Sequence, residues 1–171
     1  MPIKIYFIII TLSFLTQYST NLNAQNMKIE VDTHSKCYAK DEILIDAPIE
    51  SVFNVLSDIN NWPNWQSAVK KAFIDGKTEV DKKFKWKASG LNIKSQLHTV
   101  NPFNELGWIG KIWWIKAVHN WYLTPIDNNK TKVVVEESLK GFGSSGMKKS
   151  LKVGMKTNLM ELKTITEKKV S

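Results

Sequence analysis

The sequence has no arginine, although it carries 24 basic residues against 16 acidic ones and a formal net charge of +8 at pH 7. Lysine binds phosphate as a point charge, whereas base reading and bidentate phosphate binding depend on the planar guanidinium group of arginine. Nucleic-acid binding is therefore not expected. The lysines are expected to solvate exposed strand and helix faces, and the alternative consequence of their charge is a weak contact with an anionic membrane surface.

Residues that bind metals or form disulfides are also scarce. Cys37 is the only cysteine, so no internal disulfide can form. His34, His98 and His119 are far apart in the sequence, and there is no H-x-H, H-E-x-x-H or C-x-x-C pattern. We therefore expect no metal and no cofactor. The absence of G-x-S-x-G also argues against a serine nucleophile on a sharp elbow.

One glycine pattern matches a nucleotide-binding motif by its letters. Gly141 to Gly146 reads G-x-G-x-x-G between a predicted strand and a predicted helix. The dinucleotide fingerprint also needs a second strand that carries an acidic residue about 20 residues further on. No such strand follows the helix in this sequence. The pattern is therefore interpreted as a flexible joint between strand and helix.

The longest apolar run lies near the start of the sequence. Lys4 precedes an apolar stretch from Ile5 to Leu15, and Leu22-Asn23-Ala24 resembles a signal peptidase site. A membrane-spanning helix would need about 20 apolar residues. We interpret residues 1–24 as a secretory signal peptide, with an uncleaved membrane anchor as the alternative. The protein is expected to be exported, to the periplasm or as a secreted protein.

After this segment the sequence predicts a flexible stretch over residues 25–34 and a single domain over residues 35–171. A strand is expected from Tyr38 to Ile45. A helix is expected to begin at Pro48, with Asp46 as its cap, and to end near Asp58. Its apolar stripe consists of Ile49, Val52, Phe53, Val55 and Leu56. The sequence also predicts a short second helix from Trp65 to Val69, with Trp62 and Trp65 closing one end of the core.

From Val69 onward apolar residues alternate with polar ones, which is typical of strands with one buried face. Ser89-Gly90 indicates a two-residue hairpin that sets Trp86 opposite Ile93. In the return strand Asn92, Lys94, Gln96 and His98 should face solvent. The predicted strands are 69–74, 83–89, 91–97, 105–111, 117–124 and 130–139.

The last segment, from Gly146 to about Glu167, predicts an amphipathic helix that covers the sheet. Its apolar stripe consists of Met147, Leu151, Met155, Leu159, Leu162 and Ile165. Gly154 lies in the middle of this helix, where glycine costs about 1 kcal/mol relative to alanine. Two explanations are open, namely close packing against a strand or space left for a ligand.

A polar pair lies within the last predicted hairpin. A five-residue loop centred on Asn128 would place Leu123 opposite Val133, Trp121 opposite Val135, and His119 opposite Glu137. All six residues would lie on the apolar face, where a histidine and a carboxylate should form a hydrogen bond. This pair could act as a general acid or base on a substrate, or it could be a structural crosslink.

The seven tryptophans are the second unusual feature. Each presents about 200 Å² or more, which is more than a small core readily buries for the whole set. One explanation is that some of them line an apolar pocket. The other is ordinary core packing with a few exposed rings. The residues predicted to bind a ligand are Trp86, Trp108, His119, Trp121, Leu123, Glu137 and Met155.

Several short stretches between Lys40 and Lys169 resemble one known superfamily. They are Ile45-Asp46-Ala47-Pro48, Val52-Phe53, Leu56-Ser57-Asp58, Trp62-Pro63-Asn64-Trp65, Val118 to Pro125, Thr131-Lys132-Val133, Glu136-Glu137-Ser138 and Leu159 to Glu167. In these stretches the chain resembles the START-like helix-grip superfamily (SRPBCC), in its polyketide cyclase/dehydrase and lipid-transport branch. The resemblance implies an α+β fold, in which a curved antiparallel sheet wraps around a long C-terminal helix and leaves an internal hydrophobic cavity.

Such families contain carriers, cyclases and hydrolases, so the resemblance does not select one reaction. We expect an exported carrier that binds a hydrophobic small molecule, such as a lipid or polycyclic metabolite. The first alternative is a cofactor-free polyketide cyclase or dehydratase that uses His119 and Glu137. The second is an envelope interaction module without a ligand. The sequence does not predict the oligomeric state.

Overall fold

The structure, a computed structural model, describes residues 28–170, with side chains as far as Lys169. The predicted signal peptide over residues 1–24 lies outside this range. Within the described range, no helix combines the length and the apolar character needed to cross a membrane.

The described chain contains seven strands and two α-helices. In chain order they are β1 (Cys37–Ile45), α1 (Ile49–Ser57), β2 (Val69–Ile74), β3 (Lys83–Ala88), β4 (Leu91–Asn101), β5 (Glu105–Ile112), β6 (Ile115–Asp127), β7 (Lys130–Lys140) and α2 (Lys148–Val170). Two short 3-10 helices, Ile59–Asn64 and Ser144–Met147, join α1 to β2 and β7 to α2.

The strands form one antiparallel sheet in the order β1-β7-β6-β5-β4-β3-β2. The sheet is curved and its concave face is covered by the helices, with α2 packed along β1 and α1 against α2, β6 and β7. This is the predicted sheet gripping a C-terminal helix.

Both predicted hairpin registers are confirmed. Ala88 pairs with Leu91 across the Ser89-Gly90 turn, which sets Trp86 opposite Ile93. In the β6–β7 hairpin, His119 pairs with Glu137 and Leu123 with Val133. The loop itself is shorter than predicted, because a bulge between Pro125 and Asp127 leaves only two residues in the turn.

The core lies between the concave face and the two helices. The predicted stripes of both helices supply it, with Val52, Phe53, Val55 and Leu56 from α1 and Met155, Leu159 and Leu162 from α2. Trp62 is buried at its centre, where the ring packs edge-on against Phe84 and Trp86 and Nε1 donates to the Leu56 carbonyl at 2.8 Å. The hydrogen bond satisfies the one polar atom of this large side chain.

The structure corrects two of the predictions near α1. Asp46 does not cap the helix; it is exposed and its carboxylate pairs with Lys130 and Lys163, while Pro48 holds the cap position without a side-chain hydrogen bond. The predicted helix over 65–69 is also absent. The helical turns lie earlier, at Ile59–Asn64, and accommodate Pro63 because 3-10 turns are short.

Residues 28–34 are the described part of the stretch predicted to be flexible over 25–34, and they make defined contacts with the sheet. Residues 28–34 lie against the outer face of the sheet, and Val31 is buried. Ile29 donates its N–H to Nδ1 of His98 at 3.3 Å and accepts from Nδ2 of Asn120 at 2.9 Å. Asp32 donates its N–H to Ser138 at 3.0 Å.

This segment explains a further correction of the sequence predictions. His98 was expected to face solvent, yet it is buried. His98 lies at a bulge of β4 between Leu97 and Thr99. Residues 28–34 cover the His98 side chain on the outer face of the sheet. Alternation alone could not show this, because the covering residues are far away in sequence.

Candidate functional site

A cavity of about 440 Å³ lies between the concave face of the sheet and the first half of α2. Strands β3 to β7 form one wall, and the joint before α2 and the helix itself form the other. Its apolar lining comes from Ala88, Leu91, Ile93, Ile112, Ile115, Ala117, Leu139, Met147 and Leu151, together with the rings of Trp86 and Trp108. The polar groups are few, which is typical of sites for hydrophobic ligands.

His119 and Glu137 supply the main polar feature of this cavity. They are direct cross-strand partners on β6 and β7, and Nδ1 of His119 lies 2.8 Å from Oε2 of Glu137. Glu137 can only accept in its ionised form, so Nδ1 carries the proton and Nε2 of neutral His119 is left as an acceptor. Nε2 is buried and has no hydrogen-bond partner.

Aromatic rings surround this histidine. Trp108 stacks on it from β5, and Trp121, two residues along β6, is also stacked with it, with ring centroids 5.6 Å apart. Trp86 lies further along the wall and donates Nε1 to Oγ of Ser95 at 3.0 Å. The indole N–H of Trp86 is thereby satisfied, and its ring presents an apolar surface to the cavity.

The helix contributes Met155, Asn158 and a gap at Gly154. A Cβ added at Gly154 would meet no atom within 4 Å. Of the two explanations for this glycine, close packing against a strand is therefore wrong. Open space beside the cavity is what the structure shows.

The structure brings five of the seven predicted ligand-binding residues together at the cavity: Trp86, Trp108, His119, Glu137 and Met155. Trp121 and Leu123 are not part of its lining; they are buried in the core. The reason is α1, which packs against β6 and covers this half of the concave face. Strand alternation identifies the face but not which part of it another element covers.

Some residues that line the cavity were not predicted from the sequence. They include the polar residues Ser89, Ser150 and Asn158, and also Ile112 and Ile115, which are half-buried at the end of the cavity next to the β5–β6 turn. Asn158 follows Leu151 by seven residues, so the helical stripe was a signal that could have found it. The two isoleucines lie between the predicted strands 105–111 and 117–124, where no strand or helix was predicted.

Other candidate sites are weaker. A depression of about 790 Å³ lies along β2, β3 and β4, but five of its eleven lining residues are lysines and it is open to solvent. Cys37 is buried, and burial together with the nearby Glu137 carboxylate raises the pKa of its thiol, so it is not an activated nucleophile. Among residues 28–170 no cluster of His, Cys, Asp and Glu is arranged to hold a metal ion.

A curved antiparallel sheet that grips a C-terminal helix over an apolar cavity defines a START-like helix-grip protein. The family model "Polyketide cyclase / dehydrase and lipid transport" matches residues 37–167, and the chain belongs to that family. No curated protein sequence matches it significantly.

Solved structures support the fold. A hypothetical protein of Helicobacter pylori superposes with a TM-score of 0.73 at 14% identity, covering 80% of this chain and 91% of that one. A START superfamily protein of Mycobacterium smegmatis gives 0.67 at 12% identity, with 77% and 97% covered. The Zhui aromatase/cyclase of Streptomyces sp. R1128 gives 0.63 at 13% identity, with 78% and 95% covered.

Proposed function

We propose that this protein is an exported carrier that binds one hydrophobic small molecule in the cavity between the sheet and α2. The ligand has an apolar body and one hydroxyl group, which donates a hydrogen bond to Nε2 of His119. A lipid or a polycyclic metabolite has this chemistry. Export rests on the N-terminal sequence pattern, and carriage rests on the cavity.

The observation that carries this proposal is the unpartnered Nε2 of His119 at an otherwise apolar cavity. A buried polar atom without a partner costs about 1–3 kcal/mol. A ligand hydroxyl removes that cost, and the apolar lining provides the rest of the affinity. If a ligand buried about 300 Å² of apolar surface, the gross gain would be near 7 kcal/mol at about 25 cal/mol per Å², before the cost of association.

The second candidate is a cofactor-free cyclase or dehydratase. The Nδ1–Glu137 hydrogen bond favours it, because a carboxylate on one imidazole nitrogen orients the ring and stabilises the charge formed when the other nitrogen takes a proton. An aromatase/cyclase among the structural neighbours agrees with it. The third candidate, an interaction module without a ligand, would need a cavity filled by side chains, and the open volume of about 440 Å³ counts against it.

The first experiment is native mass spectrometry of the protein purified from a bacterial host, followed by denaturing release of any bound molecule. The carrier predicts a co-purifying apolar compound that bears a hydroxyl group. Trp86 and Trp108 line the cavity, so tryptophan fluorescence should also respond when a lipid panel is added to the delipidated protein. A clean protein whose fluorescence ignores the panel would contradict the carrier.

A further inference from the structure

Five lysines stand side by side on the outer face of the sheet. Lys85, Lys94, Lys111, Lys116 and Lys140 are successive cross-strand partners on β3, β4, β5, β6 and β7. We call them the lysine row. Neighbouring strands are about 4.8 Å apart, so the row places five positive charges along about 19 Å. Like charges directly opposite each other destabilise a sheet.

Little in the structure offsets this repulsion. The next row of outer-face partners contains Lys83, Gln96, Ile109, Val118 and Ser138, and no carboxylate. Within the described part of the chain, Lys140 is the one member of the lysine row with an ion pair, to Asp32 at 2.9 Å. A groove of about 390 Å³ runs between Lys94, Lys111 and Lys116. The row therefore presents uncompensated charge around a space that can take an anionic group.

An aromatic tip lies next to the lysine row. It consists of Trp113, Trp114 and Phe142, which are 70%, 61% and 85% exposed. The two tryptophans form the turn between β5 and β6, directly between Lys111 and Lys116 of the row. The Trp114 indole N–H donates to the Phe142 carbonyl at 3.0 Å, which holds the two loops together. Three large exposed rings at one tip form the kind of apolar patch that marks an interaction site.

The conformation of this tip is strained. Trp113 has φ of 50°, a region that two-residue hairpin loops usually fill with glycine or asparagine. A bulky residue here gains no contact with the core that would explain it, because the ring is exposed. Residues with backbone strain of this kind cluster at functional sites.

The start of α2 repeats the same charge pattern. Lys148, Lys149 and Lys152 are exposed, and the first turn of the helix has no acidic residue. Cations at a helix N-terminus oppose the helix dipole, so this placement also costs stability. These lysines flank Met147 and Leu151, which line the cavity, and the tip is bracketed by Ile112 and Ile115, which line it too. The lysines and the exposed rings thus surround the cavity mouth.

We propose that this end of the protein docks on the surface of an anionic lipid bilayer. The rings of Trp113, Trp114 and Phe142 enter the interfacial layer, where amphipathic aromatic side chains are favoured. The lysine row lies two residues behind the tip, about 7 Å at 3.4 Å per residue, which is the level of the phosphate groups. The cavity mouth then opens toward the bilayer, so an apolar ligand can pass without crossing water.

The aromatic tip favours an anionic lipid bilayer over other polyanions as the partner of this surface. Nucleic acid or a sulfated glycan would account for the lysines but not for three exposed rings beside an apolar mouth. A bilayer accounts for both. Docking needs no ligand in the cavity, so its success or failure does not depend on the proposed carriage.

Co-sedimentation with vesicles tests the proposal. The protein without its predicted signal peptide, residues 1–24, is expected to bind vesicles of phosphatidylglycerol and phosphatidylcholine. It should bind pure phosphatidylcholine weakly and should lose affinity for the anionic vesicles at high ionic strength. The row variant Lys94→Gln/Lys111→Gln/Lys116→Gln should bind at least tenfold more weakly, since each lysine near an anionic surface contributes about fivefold. The tip variant Trp113→Asn/Phe142→Ala should lose the binding that persists at high salt.

The matched control is Lys77→Gln/Lys168→Gln/Lys169→Gln, which removes the same charge at the opposite end of the molecule and should bind as the parent does. All replaced residues are exposed, and circular dichroism and thermal unfolding will confirm that each variant is folded. Equal binding to neutral and anionic vesicles, or equal losses in the row and control variants, would overturn the proposal. So would tight binding to double-stranded DNA that the row variant abolishes and the tip variant leaves unchanged.

Discussion

Trp108 stacks on His119 across β5 and β6, with ring centroids 4.4 Å apart and ring planes only 9° from parallel. Together with the Glu137 hydrogen bond, this stacking leaves the imidazole one orientation. The unpartnered Nε2 of His119 therefore has a fixed position in the cavity. A site that binds one polar group of a ligand requires such a fixed partner.

Replacing His119 separates binding from catalysis. In a carrier, His119→Ala should weaken ligand binding by up to about tenfold, since one hydrogen bond contributes a net of about 0.5–1.5 kcal/mol. In a cyclase or dehydratase it should lower turnover by about 100-fold or more. Fluorescence titration and single-turnover assays of the same preparation measure the two quantities.

Glu137→Gln is the matched control, because the amide oxygen still accepts from Nδ1. A carrier should bind its ligand normally with this variant, and a large loss of binding would contradict the assigned role of Nε2.

Filling the gap at Gly154 should block the cavity without harming the fold. A leucine side chain there would occupy open space, since even a Cβ meets no atom within 4 Å. Gly154→Leu should therefore abolish ligand binding, and should raise the free energy of unfolding by up to about 1 kcal/mol because glycine is a poor helix former. Gly154→Ala should give the same stabilisation and keep binding. Full binding by the leucine variant, measured by the same titration, would place the ligand elsewhere.

Gly107 should tolerate no side chain. A Cβ there would lie 2.6 Å from the His98 ring and 2.7 Å from Oδ1 of Asn120, and both of these residues anchor Ile29. Gly107→Ala should lower the free energy of unfolding by about 1–3 kcal/mol, as overpacking usually does, and should release residues 28–34. Urea unfolding measures the first effect and amide hydrogen exchange at Ile29 the second.

Gly110→Ala is the control for this experiment. It is also a β5 glycine, but its Cβ would meet Oγ of Ser95 at 3.5 Å and no closer atom. It should change the free energy of unfolding by much less than Gly107→Ala. Similar losses for both variants would show that the strand, and not the His98 contact, decides the cost.

The stability of the protein should fall in mild acid because of His98. Burial lowers the pKa of this histidine below its ordinary value of 6.5, with Lys28 acting in the same direction and Asn120 and Glu30 opposing. Between the folded and unfolded pKa values the unfolded chain binds more protons. The contribution of His98 to the free energy of unfolding is therefore present above pH 6.5. It is lost as the pH falls through the pKa that His98 has in the folded protein. Urea unfolding from neutral to mildly acidic pH should show a decline that His98→Gln reduces; an identical decline in the variant would assign it to other groups.

Most of the fold could be predicted because its signals are local. The hairpin at Ser89-Gly90, the pairing of His119 with Glu137 and the stripe of α2 all follow from periodicity and turn residues. Errors arose where a distant segment intervened. Residues 28–34 bury His98 from outside, and α1 turns Trp121 and Leu123 into core residues.

The candidate site shows the same division. The order of apolar and polar residues by itself determined the strands, the helices α1 and α2 and the register of β6 on β7, since each depends on neighbours within a hairpin or a helical turn. Only the tertiary structure decided which part of the concave face stays open, that Nε2 of His119 lacks a partner, and that five lysines from five strands stand in one row. These depend on how curved layers pack across long sequence separations, where burial and charge are properties of the assembled surface and not of any one segment.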